Sequence, residues 1–155
     1  MENPIFNEES LNRLIAKIEQ VFKSKDNVRR PSDINGAVMG AVYEINLSQG
    51  DAGLMPNKDR DGNDVFNGFI TVGEISLSQL SPNRQCLKAF IEQGGDVTKI
   101  IRLTKGVNGL KRLAADSHMK NGVGKVKCVF TFEVQYEGQA QPTTYGIYEW
   151  VEATA

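Results

Sequence analysis

The 155-residue chain is poor in the residues that build covalent or metal-held frameworks: it has two cysteines, Cys86 and Cys128, and one histidine, His118. Two widely separated cysteines make neither a disulfide scaffold nor a metal-binding pair. Each falls among apolar residues, where a small buried hydrophobe is the expected role. A lone histidine with no assignable orienting carboxylate and nucleophile supplies no base for triad-type chemistry. It is read as structural or solvated, near the end of a helix. GxSxG, HExxH, CxxC and Walker patterns are all missing. No apolar run approaches the length of a bilayer, and the opening MENPIFNEES is polar and acidic. A membrane span and a secretory signal are therefore not expected. The default is a reduced, cytoplasmic protein without catalytic residues, cofactor or metal.

What is present is ordinary for a globular chain, with 40% apolar and 24% charged residues. Length and composition predict one domain over residues 1–155. The charge distribution is less ordinary. Residues 1–83 carry 8 Lys and Arg against 12 Asp and Glu, and residues 128–155 carry four Glu and no base. Between them, residues 84–127 hold 10 bases and 3 acids, a balance of +7 inside a chain of net charge −1. Such a segment implies an anionic partner, an acidic neighbouring surface, or a basic face neutralised by the chain's own acidic ends.

Hydrophobic spacing places the elements. Leu11, Leu14, Ile15, Ile18, Val21 and Phe22 form one helical stripe. Asn7 is its expected cap and Phe6 its staple residue. Such a helix covers a sheet of its own chain or docks on another subunit, the former being the simpler reading. Residues 37–48 alternate as a half-buried strand. A second strand spans 65–77, with a phase switch at Gly73 that predicts a bulge or bend. The intervening stretch, about 49–64, shows no periodicity and is expected to be a long central loop.

Ser81-Pro82 is the expected start of a helix ending at Gly94-Gly95. The stretch DVTKIIRLTKG (96–106) is assigned to a second helix, despite its β-branched residues. Asn108 should cap a third, running to Lys120 with Asn121-Gly122 as its stop. In Lys125–Glu137, Val126, Cys128, Phe130, Phe132, Val134 and Tyr136 share one strand face. A last strand covers 144–152. The order α-β-β-α-α-α-β-β predicts an α+β domain with one antiparallel four-stranded sheet and helices on one face.

Three segments invite a chemical reading. Asn57-Lys58-Asp59-Arg60-Asp61-Gly62 begins like a calcium loop, but Gly68 stands where the bidentate Glu belongs. An Asp-Gly turn accounts for it equally well. Thr104–Lys111 has the glycines and lysine of an anion cradle without Walker spacing. The basic segment is sharper. Lys99, Arg102 and Lys105 would share a helix side, Lys111 and Arg112 begin the next helix, and Lys125 and Lys127 project from the polar strand face. Together they form a candidate site for nucleic acid or another phosphate ligand. Residues 84–127 contain only Phe90 as an aromatic, so base stacking is not expected.

Two functions follow. One is a non-catalytic assembly or interaction subunit, self-associating or bound to a protein partner, with paired acidic and basic surfaces. A repeating component of a viral or phage-like particle fits that description. The other is a binder of nucleic acid or a phosphorylated small molecule through the basic segment.

Overall fold

The structure, a computed structural model, describes residues 8–24, 36–104, 106–138 and 140–152. Phe6, Asn7 and Lys105 lie outside them. Helix α1 runs Glu8–Ser24, about 25 Å long at the helical rise. Its stripe is the expected one: Leu14, Ile18 and Val21 are buried, with Leu11, Ile15 and Phe22 packed beside them. The helix lies against β2 (Gly50–Lys58), so its apolar face is covered by its own chain.

That strand occupies most of the stretch expected to be a loop at 49–64. It pairs antiparallel with β3 (Asp64–Val72) over all nine residues, from Gly50 opposite Val72 to Lys58 opposite Asp64. The sequence GDAGLMPNK has neither alternation nor strand propensity. Pairing with β3 and cover from α1 impose the strand, and Pro56 is tolerated because β2 is an edge. The calcium-like run contributes the hairpin turn. Asp59 Oδ1 accepts the N–H groups of Asp61 and Asn63 at 2.9 Å each, and Gly62 takes φ +81°.

The predicted bend at Gly73 is present as a turn joining β3 to the short β4 (Ile75–Ser76). Gly73 has φ +76°, and a Cβ there would stand 2.7 Å from the Glu44 carbonyl oxygen. Only glycine fits both constraints. The same turn ties the two halves of the protein together, because Glu74 N–H donates to Glu44 O and Glu44 N–H to Glu74 Oε1, both at 2.9 Å.

The architecture corrects the expectation of one four-stranded sheet. The chain is mixed α and β, but its strands form two antiparallel three-stranded sheets, ordered β2-β3-β4 and β1-β5-β6. Here β1 is Val42–Asn46, β5 Val123–Val134 and β6 Thr143–Trp150. Strand β2 was hidden in the sequence by its composition, and the strand expected over 65–77 is divided at Gly73 into β3 and β4. The helices are not gathered on one face either: α1 covers β2, while α2 (Arg84–Glu92) packs on β5 and β6. One hydrophobic cluster joins the sheets, drawing Ile45, Ala52, Ile70, Val72, Val126, Cys128 and Tyr148 together with Leu14, Leu110 and Leu113.

Three further corrections concern element ends. Asn83, not Ser81, caps α2, its Oδ1 accepting from Gln85 and Cys86 N–H. Residues 96–104 are not helical. Asp96 Oδ1 accepts from Thr98 N–H at 2.9 Å and so closes a turn, and Ile101 N–H donates to Tyr148 O at 2.8 Å along the free edge of β6. The β-branched Val97, Thr98, Ile100 and Ile101 favour that extended path. Helix α3 is short, Val107–Ala114, starting at Gly106 rather than Asn108. The Asn121-Gly122 pair is not its stop. With φ values of +54° and +78° it makes a two-residue turn between Lys120 and Val123, the use such a pair has in hairpins.

Strand β5 does not present its six apolar residues on one face. The register shifts between Cys128 and Phe130, leaving Val129 as an extra residue. Before the shift Cys128 opposes Tyr148 in the main cluster; after it Phe130 opposes Ile147 in a second cluster with Cys86, Phe90 and Ile100. Tyr136 lies beyond the strand, its Oη 2.7 Å from Tyr145 Oη. Cys86 and Cys128 are free and buried, and burial pushes the Cys86 thiol up to about 11. Both act as protonated, small hydrophobes.

Candidate functional site

The basic segment folds into separate places. Lys99 and Arg102 come from the extended segment beside β6, and Arg112 from the last turn of α3. They line one groove of about 710 Å³, whose other wall carries Asp116, His118, Glu149, Trp150 and Glu152. The groove forms because α3 presses on the segment before it. A Cβ at Gly109 would lie 1.8 Å from the Thr104 carbonyl oxygen, so only glycine lets the helix approach. The glycines of Thr104–Lys111 thus serve a helix connection.

The other predicted site residues are elsewhere. Lys111 is exposed on α3 and does not line the groove, and Lys105 is outside the described residues. Lys125 and Lys127 are exposed on β5, where Lys125 stands opposite Glu44 and Lys127 opposite both Val42 and Glu149. Opposite charges at paired register positions attract weakly, by about 0.2–1 kcal/mol. These two lysines therefore face acids of their own sheet.

At the far end of the groove sits the lone histidine, not on a helix. Once α3 ends, Asp116 Oδ1 accepts both His118 N–H and its ring Nδ1, each at 2.8 Å. The other ring nitrogen, Nε2, lies 3.0 Å from Glu152 Oε1. Hydrogen bonds to Glu152 first and Asp116 second raise the His118 pKa above its ordinary 6.5, so the imidazolium is favoured. Its ring stacks on Trp150 with centroids 5.1 Å apart and planes 3° from parallel. On Gly124 of β5, a Cβ would stand 2.8 Å from the Trp150 ring, so this strand closes in on the indole as well.

With both nitrogens engaged, His118 offers no free base, and its two carboxylates lie on opposite sides of the ring. Among the described residues, no three His, Cys, Asp or Glu side chains are grouped to hold a metal ion. No described helix is long and apolar enough to cross a membrane.

The chain matches no protein-family model, no curated protein and no solved structure. Its function is therefore argued from geometry alone.

Sequence reasoning missed the aromatic partner of the groove because Trp150 is remote from the basic segment in the chain. It missed the Asp116–His118 contact because a helix was assumed there. The signal was present: an Asp two residues before its partner commonly forms a side-chain-to-backbone turn.

A second feature is apolar. Val38, Met39 and Val42 are 59%, 63% and 50% exposed; the first two lie just before β1, an edge strand, and Val42 opens it. The backbone here is anchored: Gly40 N–H donates to Cys128 O and Cys128 N–H to Ala41 O, both at 2.9 Å. The three side chains are thus held outward on a fixed support.

Proposed function

We propose that the protein is a non-catalytic interaction subunit that assembles with copies of itself. The observation that carries this reading is the exposed cluster of Val38 and Met39, just before the edge strand β1, and Val42, its first residue. Single exposed apolar residues are common, but three within five positions at the start of an edge strand invite association. A second copy is the occupant this surface fits best. A two-fold axis beside β1 sets each copy's Met39 and Val42 against the other's, so the patch is its own complement.

The acids of β1 and β6 stand opposite lysines of the same chain, so assembly through charge pairing between protomers loses support. Apolar contact takes its place, and association should be insensitive to salt. Phe66 on β3 and Ile91 on α2 are also exposed. A second contact through either would extend a pair towards a repeating particle.

Light scattering coupled to size exclusion, at low and high salt after nuclease treatment, tests the reading. A discrete oligomer is expected under both conditions. Replacing Met39 and Val42 together with Glu should give a monomer whose circular dichroism is unchanged. A wild-type protein that stays monomeric at every concentration reached would end this interpretation.

A further inference from the structure

We infer that the groove between α3, the segment beside β6 and the end of β6 is a binding site for a compact phosphorylated anion, of the pyrophosphate or nucleoside-phosphate class. Lys99, Arg102 and Arg112 face three carboxylates across it, so by formal charge the groove is neutral. Two of the acids, however, are engaged. Asp116 and Glu152 hold the two ring nitrogens of His118. Among the described residues neither Arg102 nor Arg112 has a carboxylate within ion-pairing distance, while Lys99 interacts with the Asp96 carboxylate. The two guanidinium groups are therefore open to an anion in the groove.

The type of cation narrows the ligand. Two guanidinium groups present planar forks that match phosphate oxygens, and an ammonium adds a third, adaptable donor. The volume of about 710 Å³ is in the usual range of small-molecule sites. A nucleic-acid strand fits less well, because it needs a cationic track and open aromatic faces. The nearest continuation, Lys125 and Lys127, lies opposite acids, and Trp150 is stacked under His118. This site is separate from the β1 surface, and its failure or success leaves the self-association reading untouched.

Trp150 is the chain's only tryptophan and lines the groove, so its fluorescence reports occupancy directly. Pyrophosphate, ATP and a single-stranded oligonucleotide are titrated at low salt, with calorimetry for affinity. Saturable binding of pyrophosphate or ATP is expected, with one site per chain. Arg102→Ala combined with Arg112→Ala should weaken it at least tenfold, since charge-assisted hydrogen bonds to phosphate oxygens are lost. Lys127→Ala should bind as wild type, and Arg102→Lys with Arg112→Lys should restore part of the affinity. Both arginines are exposed, and an unchanged thermal midpoint certifies the fold of each variant. Equal affinity for pyrophosphate and ATP supports recognition of phosphates alone, and tighter ATP binding supports a nucleoside contact as well. Three results overturn the inference: no saturable binding of either probe, equal affinity in the double alanine variant, or tighter binding of the oligonucleotide than of ATP.

Discussion

Lys125 and Lys127 stand on the exposed face of the β1-β5-β6 sheet with Glu44 and Glu149 opposite them in register, whereas Lys99, Arg102 and Arg112 line a groove two of whose acids are held by His118. Both groups come from one basic segment, and in the sequence they look alike. The difference between them is geometric. Strand pairing places acids from distant parts of the chain at matched positions beside one group, whereas among the described residues Arg102 and Arg112 of the other have no carboxylate within ion-pairing distance. A segment's net charge therefore says little about where an anion would bind; the local pairing of each cation decides it.

The comparison is broken most severely by distorting the groove without touching any charge. Gly109→Ala drives a Cβ into the Thr104 carbonyl and should destabilise the protein by about 3 kcal/mol, the upper end for overpacking. It should also abolish the anion response of Trp150 fluorescence. A shift in urea midpoint worth less than about 1 kcal/mol would show that the wall yields.

The next largest effect belongs to His118. Its pKa is raised in the folded state, so the histidine adds stability that is complete below about pH 6.5 and lost as pH rises through the raised value. His118→Gln should destabilise the protein more at about pH 6 than at about pH 9, by up to roughly 1 kcal/mol for this partly exposed cluster, as read from urea unfolding at the two pH values. A gap that widens with rising pH would contradict the assigned imidazolium.

Smaller still is the sheet-face pairing. A double-mutant cycle between Lys127 and Glu149 should give a coupling of about 0.2–1 kcal/mol that fades with salt. The smallest effect is expected in the groove itself. Replacing Arg102 and Arg112 with Ala should change the ligand-free stability by less than about 0.5 kcal/mol, because both are exposed and neither has an ion pair among the described residues. If these replacements cost more than the Lys127 change does, the contrast between the two groups is mistaken.

The strongly periodic parts of the chain were legible. The stripe of α1 and the bend at Gly73 came directly from spacing, because amphipathic burial and a positive φ leave marks in local sequence. Strand β2 left no such mark: Gly50, Gly53 and Pro56 are poor strand formers, held by β3 and α1. Residues 96–104 carried an ambiguous signal, with a capping Asp and β-branched residues pulling in opposite directions. Pairing with the edge of β6 resolved it in favour of the extended form. On the groove, the helix expected to carry Lys99 and Arg102 does not exist, whereas Arg112 does lie on the following helix, α3.

By itself the sequence determined which residues are apolar and periodic enough to be buried, and where charge accumulates along the chain. It also determined that no familiar catalytic motif is spelled out locally. Only the tertiary structure decided that the strands divide into two sheets, that a bulge at Val129 turns β5 from one cluster to another, and that His118 is locked between Asp116 and Glu152 over Trp150. The physical reason is range. Side-chain periodicity is set within a few residues, whereas strand pairing, charge compensation and ring stacking join residues far apart in the chain, and their outcome exists only once the core has closed.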